Sequence, residues 1–96
     1  MKVCRKSTII EAFHFTEESI NHPVNWPNWL FLAASKNKNS KNCFYFESVK
    51  SGVNFVLVGN NGLQTTVNFG DYILCDNGRL FVRSSSAFHA YWSEVK

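Results

Sequence analysis

Short apolar runs separated by glycine-containing turns fill the second half of the chain and predict a β-sheet. The runs stop at Asn61-Gly62 and again at Asn77-Gly78. Asn-Gly supplies the positive φ angles that tight hairpins require. Between residues 63 and 68 apolar and polar side chains alternate cleanly, so one side of that strand is expected to meet water. The pattern predicts a β-meander folded on tight turns.

An earlier segment, residues 8–15, also has the character of a strand. Its two faces are both largely apolar, which favours a strand that is buried on more than one side and joins the same sheet. A sheet or partly closed barrel over residues 43–84 is expected. The predicted strands are 8–15, 43–49, 53–58, 63–68, 72–75 and 80–83.

Helical spacing is confined to a few segments. An apolar face with i, i+3, i+4 and i+7 spacing, together with a proline suited to a first turn, predicts a helix over 26–36. Serines 84–86 offer capping hydroxyls before a second apolar face, which predicts a short C-terminal helix over 86–94. Residues 16–25 are predicted to form a loop with at most one helical turn at 16–20.

Together these elements predict one α+β domain over residues 1–96. The architecture expected is a mainly antiparallel β-meander or a partly closed barrel of about five or six strands. The helix near 26–36 and the short C-terminal helix would cover its edge or face. A chain of 96 residues has room for one modest hydrophobic core.

Composition and charge narrow the classes of partner only slightly. Ten basic and seven acidic residues give a net charge of +3, which assists an encounter with an anion without identifying one. The three cysteines are odd in number and lack metal-site spacing, which indicates reduced thiols in the cytoplasm. The longest apolar run, Trp29 to Ala34, is too short to span a bilayer, so no membrane partner is expected.

Four features of the chain, in a fixed order, carry a resemblance to a known family. RKSTIIEAFHF at residues 5–15 precedes a tryptophan-containing segment, GDYI at 70–73, and a closing Phe88 and Tyr91. This order resembles a family of small uncharacterised phage and prophage proteins. The resemblance implies an accessory role in the cytoplasm of an infected bacterial host, and it carries over no catalytic residue. Arg79 stands where the family has an acidic residue, so a function that depends on that position would differ in this chain.

Arg79 and Arg83 are the most suggestive polar residues. They lie four residues apart on the last predicted strand, so they share one face about 13 Å apart, with Phe81 between them. Arginines beside an aromatic ring can hold a phosphate and stack a base. The competing interpretation is a solvated edge strand whose charges discourage aggregation.

Aromatic residues supply the other candidates for ligand contact. Trp26 and Trp29 share a helical face, where they either pack in the core or form the aromatic wall of a ligand pocket or an oligomer contact. Tyr72, in the GDYI strand, completes the predicted ligand-binding set of Arg79, Arg83, Trp26, Trp29 and Tyr72. Asp71 beside it is expected to accept backbone N–H bonds in a corner rather than to act as a base.

The function favoured by these residues is a non-enzymatic binding protein. It would counter a host or defence pathway by sequestering a nucleotide-like anion or by blocking a protein. A pocket for such an anion is expected at a subunit interface of a homo-oligomer. No nucleophile pair, metal cluster, phosphate loop or cofactor motif is recognisable, so an enzyme is not expected.

Two alternatives stay open. One is a single-stranded nucleic-acid-binding protein, which would lose affinity steeply with salt. The other is a structural or assembly protein without a small ligand. In the nucleic-acid hypothesis the stacking and phosphate-binding residues are Phe44, Tyr45, Phe81, Lys36, Lys38, Lys41 and Lys50.

Overall fold

The computed structural model describes residues 1–95 and folds them into eight strands and a few short helices. A 3₁₀ turn, Pro23–Asn25, lies between the first two helices. The helices are α1 Glu17–Ile20, α2 Asn28–Ala34 and α3 Ser85–Tyr91. The strands are β1 Lys2–Arg5, β2 Thr8–His14, β3 Cys43–Val49, β4 Gly52–Val58, β5 Gln64–Val67, β6 Tyr72–Asp76, β7 Arg79–Arg83 and β8 Ser93–Glu94.

The chain combines antiparallel sheets with short helices, which confirms the predicted α+β class. The strands form two separate sheets, one in the order β7-β6-β2-β1-β8 and one in the order β3-β4-β5. The expectation of a single sheet or partly closed barrel over residues 43–84 is therefore wrong, because the meander divides after β5.

The corner at residues 68–71 is where the chain leaves one sheet for the other. Gly70 has φ 100°, and its N–H donates to the carbonyl oxygen of Phe15 at 2.7 Å. The N–H of Phe15 donates to the carbonyl oxygen of Asp71 at 2.8 Å. The Asp71 carboxylate accepts from the N–H of Asn68 at 2.9 Å, as the sequence predicted. These bonds place β6 beside β2, in register with it, and away from β5.

Strand β2 is the middle of the five-stranded sheet and is apolar on both faces, as predicted. Phe13 and the following Phe15 join a core between this sheet, α2 and the three-stranded sheet. Ile10 and Ala12 join a second core that α3 covers with Phe88. The five-stranded sheet is thus the middle layer, with a hydrophobic cluster on each side.

The helices are shorter than their sequence patterns suggested. Helix α2 begins at Asn28, because Pro27 serves as its extended N-terminal cap, and it ends at Ala34 instead of residue 36. Helix α3 starts after the Ser84 hydroxyl, which accepts from the N–H of Ala87 at 3.3 Å. It stops at Tyr91, since the chain returns to pair with β1 as β8.

The sequence did not predict the first and last strands, β1 and β8. Strand β1 lies in the short basic segment at the start of the chain, and its central Val3 is fully buried in the second core. A single buried residue between basic and polar neighbours gives too weak an alternation to mark a strand. The helical turn expected at 16–20 is present as α1, capped by the Thr16 side chain.

Candidate anion-binding groove

A groove runs along the outer edge of β7. It has a volume of about 500 Å³. One wall is β7 with its two arginines, and the other wall is the β4–β5 hairpin. The lining residues that can contact a polar ligand are Asn60, Asn61, Thr65, Asp76, Arg79 and Arg83.

Asn42 fastens these two walls together. Its side-chain amide donates to the side-chain oxygen of Asn60 at 3.0 Å, and its own side-chain oxygen accepts from the N–H of Leu80 at 2.9 Å. Asn42 also adopts φ 57°, a left-handed conformation that asparagine tolerates better than most residues. The sequence placed it in a solvated polar loop, because nothing local shows that the loop end folds back on a distant strand.

Gly59 permits the close approach of the hairpin to β7. A Cβ atom on this residue would lie 3.2 Å from the side-chain oxygen of Asn61 and 3.6 Å from the carbonyl oxygen of Leu80. The Asn61 oxygen accepts from the N–H of Leu63 at 3.1 Å, which holds the turn in shape. The floor of the groove is therefore set by backbone and amide groups.

We expect Asn42→Ala to lower the free energy of unfolding by about 1–3 kcal/mol. The substitution leaves the Leu80 N–H without its partner and puts alanine at a positive φ. Urea unfolding followed by circular dichroism measures the loss. Asn39→Ala, in the exposed part of the same loop, is the matched control and should change stability by less than about 0.5 kcal/mol. Equal effects of the two substitutions would contradict this role for Asn42.

The guanidinium groups of the two arginines make different contacts within the protein. The Arg79 guanidinium lies 3.4 Å from the Asp76 carboxylate. Arg79 is exposed and Asp76 is half-buried, so water screens much of their attraction. The Arg83 guanidinium lies 4.8 Å from the centre of the Phe81 ring and donates to the Val82 carbonyl oxygen at 2.9 Å. The predicted arrangement of two arginines with an aromatic ring between them is present.

The edge of β7 adds a backbone donor to the groove. The N–H of Leu80 points away from β6, toward Asn42. Because hydrogen-bonding direction repeats every second residue along a strand, the N–H of Val82 points the same way, into the groove that Val82 lines. One backbone N–H and two guanidinium groups thus surround the same space, with a single carboxylate among them.

The other three predicted ligand-binding residues line different parts of the molecule. Tyr72 pairs directly with Arg83 across the sheet, but its ring is buried between His14 at 4.3 Å and Phe88 at 3.8 Å. Trp26 packs edge-on against Phe44 in the first core and donates its indole N–H to the carbonyl oxygen of Ser19.

Trp29 lines a smaller cavity of about 310 Å³, which shares Leu80 with the groove. Leu80 and Cys75 line the same cavity from the five-stranded sheet. The indole Nε1 of Trp29 is buried and has no hydrogen-bond partner within residues 1–95. Of the predicted set, the structure brings only Arg79 and Arg83 to one groove.

The stacking residues of the nucleic-acid hypothesis do not share a surface. Phe44 is buried in the first core, whereas Tyr45 faces the other side of the same sheet with the Lys38 ammonium 5.4 Å from its ring. Phe81 belongs to the other sheet and is half-buried against the second core. The structure therefore provides no row of exposed rings from these three residues.

The three cysteines, Cys4, Cys43 and Cys75, are all free thiols. Burial raises the pKa of Cys43 and of Cys75, which keeps both thiols protonated and poorly nucleophilic at neutral pH. In the part of the chain that the structure describes, no group of His, Cys, Asp and Glu side chains could hold a metal ion.

Comparison with known proteins returns no relative. No protein-family model matches the chain, and neither the curated proteins nor the solved structures provide a match. The relationship to phage proteins therefore stays a prediction from the sequence. Among residues 1–95, no helix is both long enough and apolar enough to cross a membrane.

Proposed function

We propose that this protein is a non-enzymatic binding protein that holds a nucleotide-like anion in the groove along β7. The observation that carries the proposal is the convergence of Arg79 and Arg83 with the Val82 edge N–H on one groove of about 500 Å³. This volume falls in the range of small-molecule sites, which average several hundred cubic ångströms. Sequestering such a ligand to counter a host or defence pathway, in the cytoplasm of an infected bacterium, is the role proposed from the resemblance to phage proteins.

The chemistry of the lining favours a ligand with both phosphate and a ring. Guanidinium groups bind phosphate in a fork of parallel hydrogen bonds. The weak pairing of Arg79 with Asp76 leaves that guanidinium available for a stronger anion. The Arg83 guanidinium lies over the Phe81 ring. Asn60 and Asn61 line the groove with side-chain amides that could form hydrogen bonds with the edge of a base.

The test is binding of a small probe set by native mass spectrometry and calorimetry. The probes are ATP, adenosine and inorganic triphosphate, which separate the contribution of the phosphates from that of the ring. We expect ATP to bind most tightly and Arg79→Ala combined with Arg83→Ala to weaken it at least about tenfold, since hydrogen bonds to charged groups contribute about 1.5–3 kcal/mol each.

The matched control removes two positive charges elsewhere. Arg5→Ala combined with Lys50→Ala changes exposed residues outside the groove and leaves the net charge equal to that of the first double variant. Unchanged ATP affinity in the control supports the groove. An equal loss in both double variants, or no ATP binding by the native protein, would overturn the proposal.

A further inference from the structure

The two sheets have four edge strands, and three of them are protected against pairing with another chain. Strand β8 has only two residues, and β5 has four, of which the first three are polar and exposed. Strand β7 carries an exposed arginine at each end, and Asn42 occupies its Leu80 N–H. Short length, charge and covering groups are the devices by which proteins keep sheet edges from pairing.

Strand β3 is the exception. It runs for seven residues, contains no proline and carries one charged residue, Glu47. Helix α2 packs against β3, and Cys43 and Phe44 at its start are buried, but residues 46–49 are exposed. Within residues 1–95, β3 makes backbone hydrogen bonds only to β4, so the N–H and C=O groups of every second residue on its other side are unpaired.

An exposed aromatic side chain lies on this free edge. Phe46 is 64 % exposed, and its ring centre lies 6.1 Å from that of Phe55. Phe55 in turn lies 6.0 Å from Phe69, which is 55 % exposed. A row of aromatic rings therefore runs from the first core to the β3 edge, where Phe46 is its last ring.

We propose that a second copy of this chain pairs with β3 in antiparallel fashion and joins the two three-stranded sheets into one of six strands. The edge accepts an extended segment with apolar residues at alternate positions. The chain itself contains such a segment, because Phe44 and Phe46 have that spacing in β3. A two-fold axis makes the pairing self-complementary.

Full overlap of the two strands, which are centred on Phe46, and their charges favour one register of this pairing. With Phe46 opposite Phe46 of the partner subunit, Glu47 faces a tyrosine and the two rings form a cross-strand aromatic pair. Sliding the partner so that Glu47 faces Glu47 of the partner subunit sets like charges opposite each other, which is destabilising. The first register also continues the row of rings across the boundary.

The size of the contact makes the dimer weak. Pairing along seven residues covers a strip about 23 Å long and about 10 Å across, or roughly 230 Å² on each copy. Stable interfaces cover about 800 Å² on each partner. We therefore expect a dimer that dissociates on dilution and whose population is measurable at high micromolar protein.

Sedimentation equilibrium over a range of concentrations tests the pairing. The mass should rise with concentration from the 11.0 kDa of the chain toward twice that value. Phe46→Lys should weaken association at least about tenfold, because it places two ammonium groups opposite each other. Ile9→Lys is the matched control, since Ile9 is a strand residue that is 60 % exposed on the other sheet, and it should leave the mass curve unchanged. A monomer at all concentrations overturns the proposal, whatever else binds at this edge.

A cross-linking experiment tests the register. Paired residues of this kind have Cα atoms about 5.5 Å apart, which suits a disulfide. Phe46→Cys should therefore form a covalent dimer under mild oxidation. Ser48→Cys should not, because in this register the two copies of residue 48 are about 13 Å apart. Equal cross-linking of both variants, or of the native protein, would overturn the register. The proposal is independent of the groove, which lies along β7 and the β4–β5 hairpin, away from the β3 edge.

Discussion

Phe15→Ala should lower the free energy of unfolding by about 3–5 kcal/mol, one of the two largest losses expected for a single substitution in this chain. Phe15 is fully buried immediately after the end of β2. Its ring centre lies 6.0 Å from that of Phe44, 5.0 Å from Phe55 and 5.3 Å from Phe69. Truncation would leave a cavity where the two sheets meet. A domain of this size has roughly 5–15 kcal/mol of stability in total, so the variant would be near its unfolding limit.

Urea unfolding of the native protein and of Phe15→Ala measures this loss. Phe69→Ala is the matched control, because Phe69 stacks on Phe15 but is 55 % exposed. We expect the control to lose less than half as much stability, since much of its surface is in water already. Hydrogen exchange should also accelerate more in β3–β5 than in β1 and β2 of the Phe15→Ala variant. Comparable losses in both variants would refute the role of Phe15 as the link between sheets.

The features that the sequence predicted depend on residues close together along the chain, whereas the features it missed depend on residues far apart. The hairpin at residues 76–79 was predicted because its signal is local: Asn77 and Gly78 have φ of 51° and 82°. The two apolar faces of β2 were also predicted, because side-chain alternation follows from strand geometry alone. The division into two sheets was not, since it depends on hydrogen bonds between the 68–71 corner and Phe15, more than fifty residues apart along the chain.

The candidate groove also has one part that local spacing predicted and one part that it did not. The alignment of Arg79, Phe81 and Arg83 on one side of a strand follows from their spacing and was predicted. The opposite wall and its fastening by Asn42 join residues 38 positions apart, and no local pattern marks them. Tyr72 was grouped with the arginines as a ligand contact, but α3 folds over its face of the sheet and covers the ring.

Tyr72→Ala should cost about as much as Phe15→Ala, about 3–5 kcal/mol, for a different reason. The Tyr72 ring lies parallel to Phe88 with centres 3.8 Å apart and parallel to His14 at 4.3 Å, so it joins α3 to the five-stranded sheet. Removing it deprives α3 of its main contact, because Phe88 is the one buried residue of that helix. Hydrogen exchange should then accelerate most at the α3 amides and at the Trp92 N–H, which donates to the carbonyl oxygen of Phe88.

Tyr72→Phe separates this structural role from ligand contact. It keeps the stacked ring and should change the free energy of unfolding by less than about 1.5 kcal/mol. Because the buried hydroxyl-bearing ring does not line the groove, ATP affinity should also stay within about twofold of the native value. A stable Tyr72→Phe variant with strongly reduced ATP binding would instead return Tyr72 to the ligand-binding set, and would mean that α3 moves aside when the ligand binds. Retained affinity in Tyr72→Phe, with loss in the arginine double variant, would confine binding to the edge of β7.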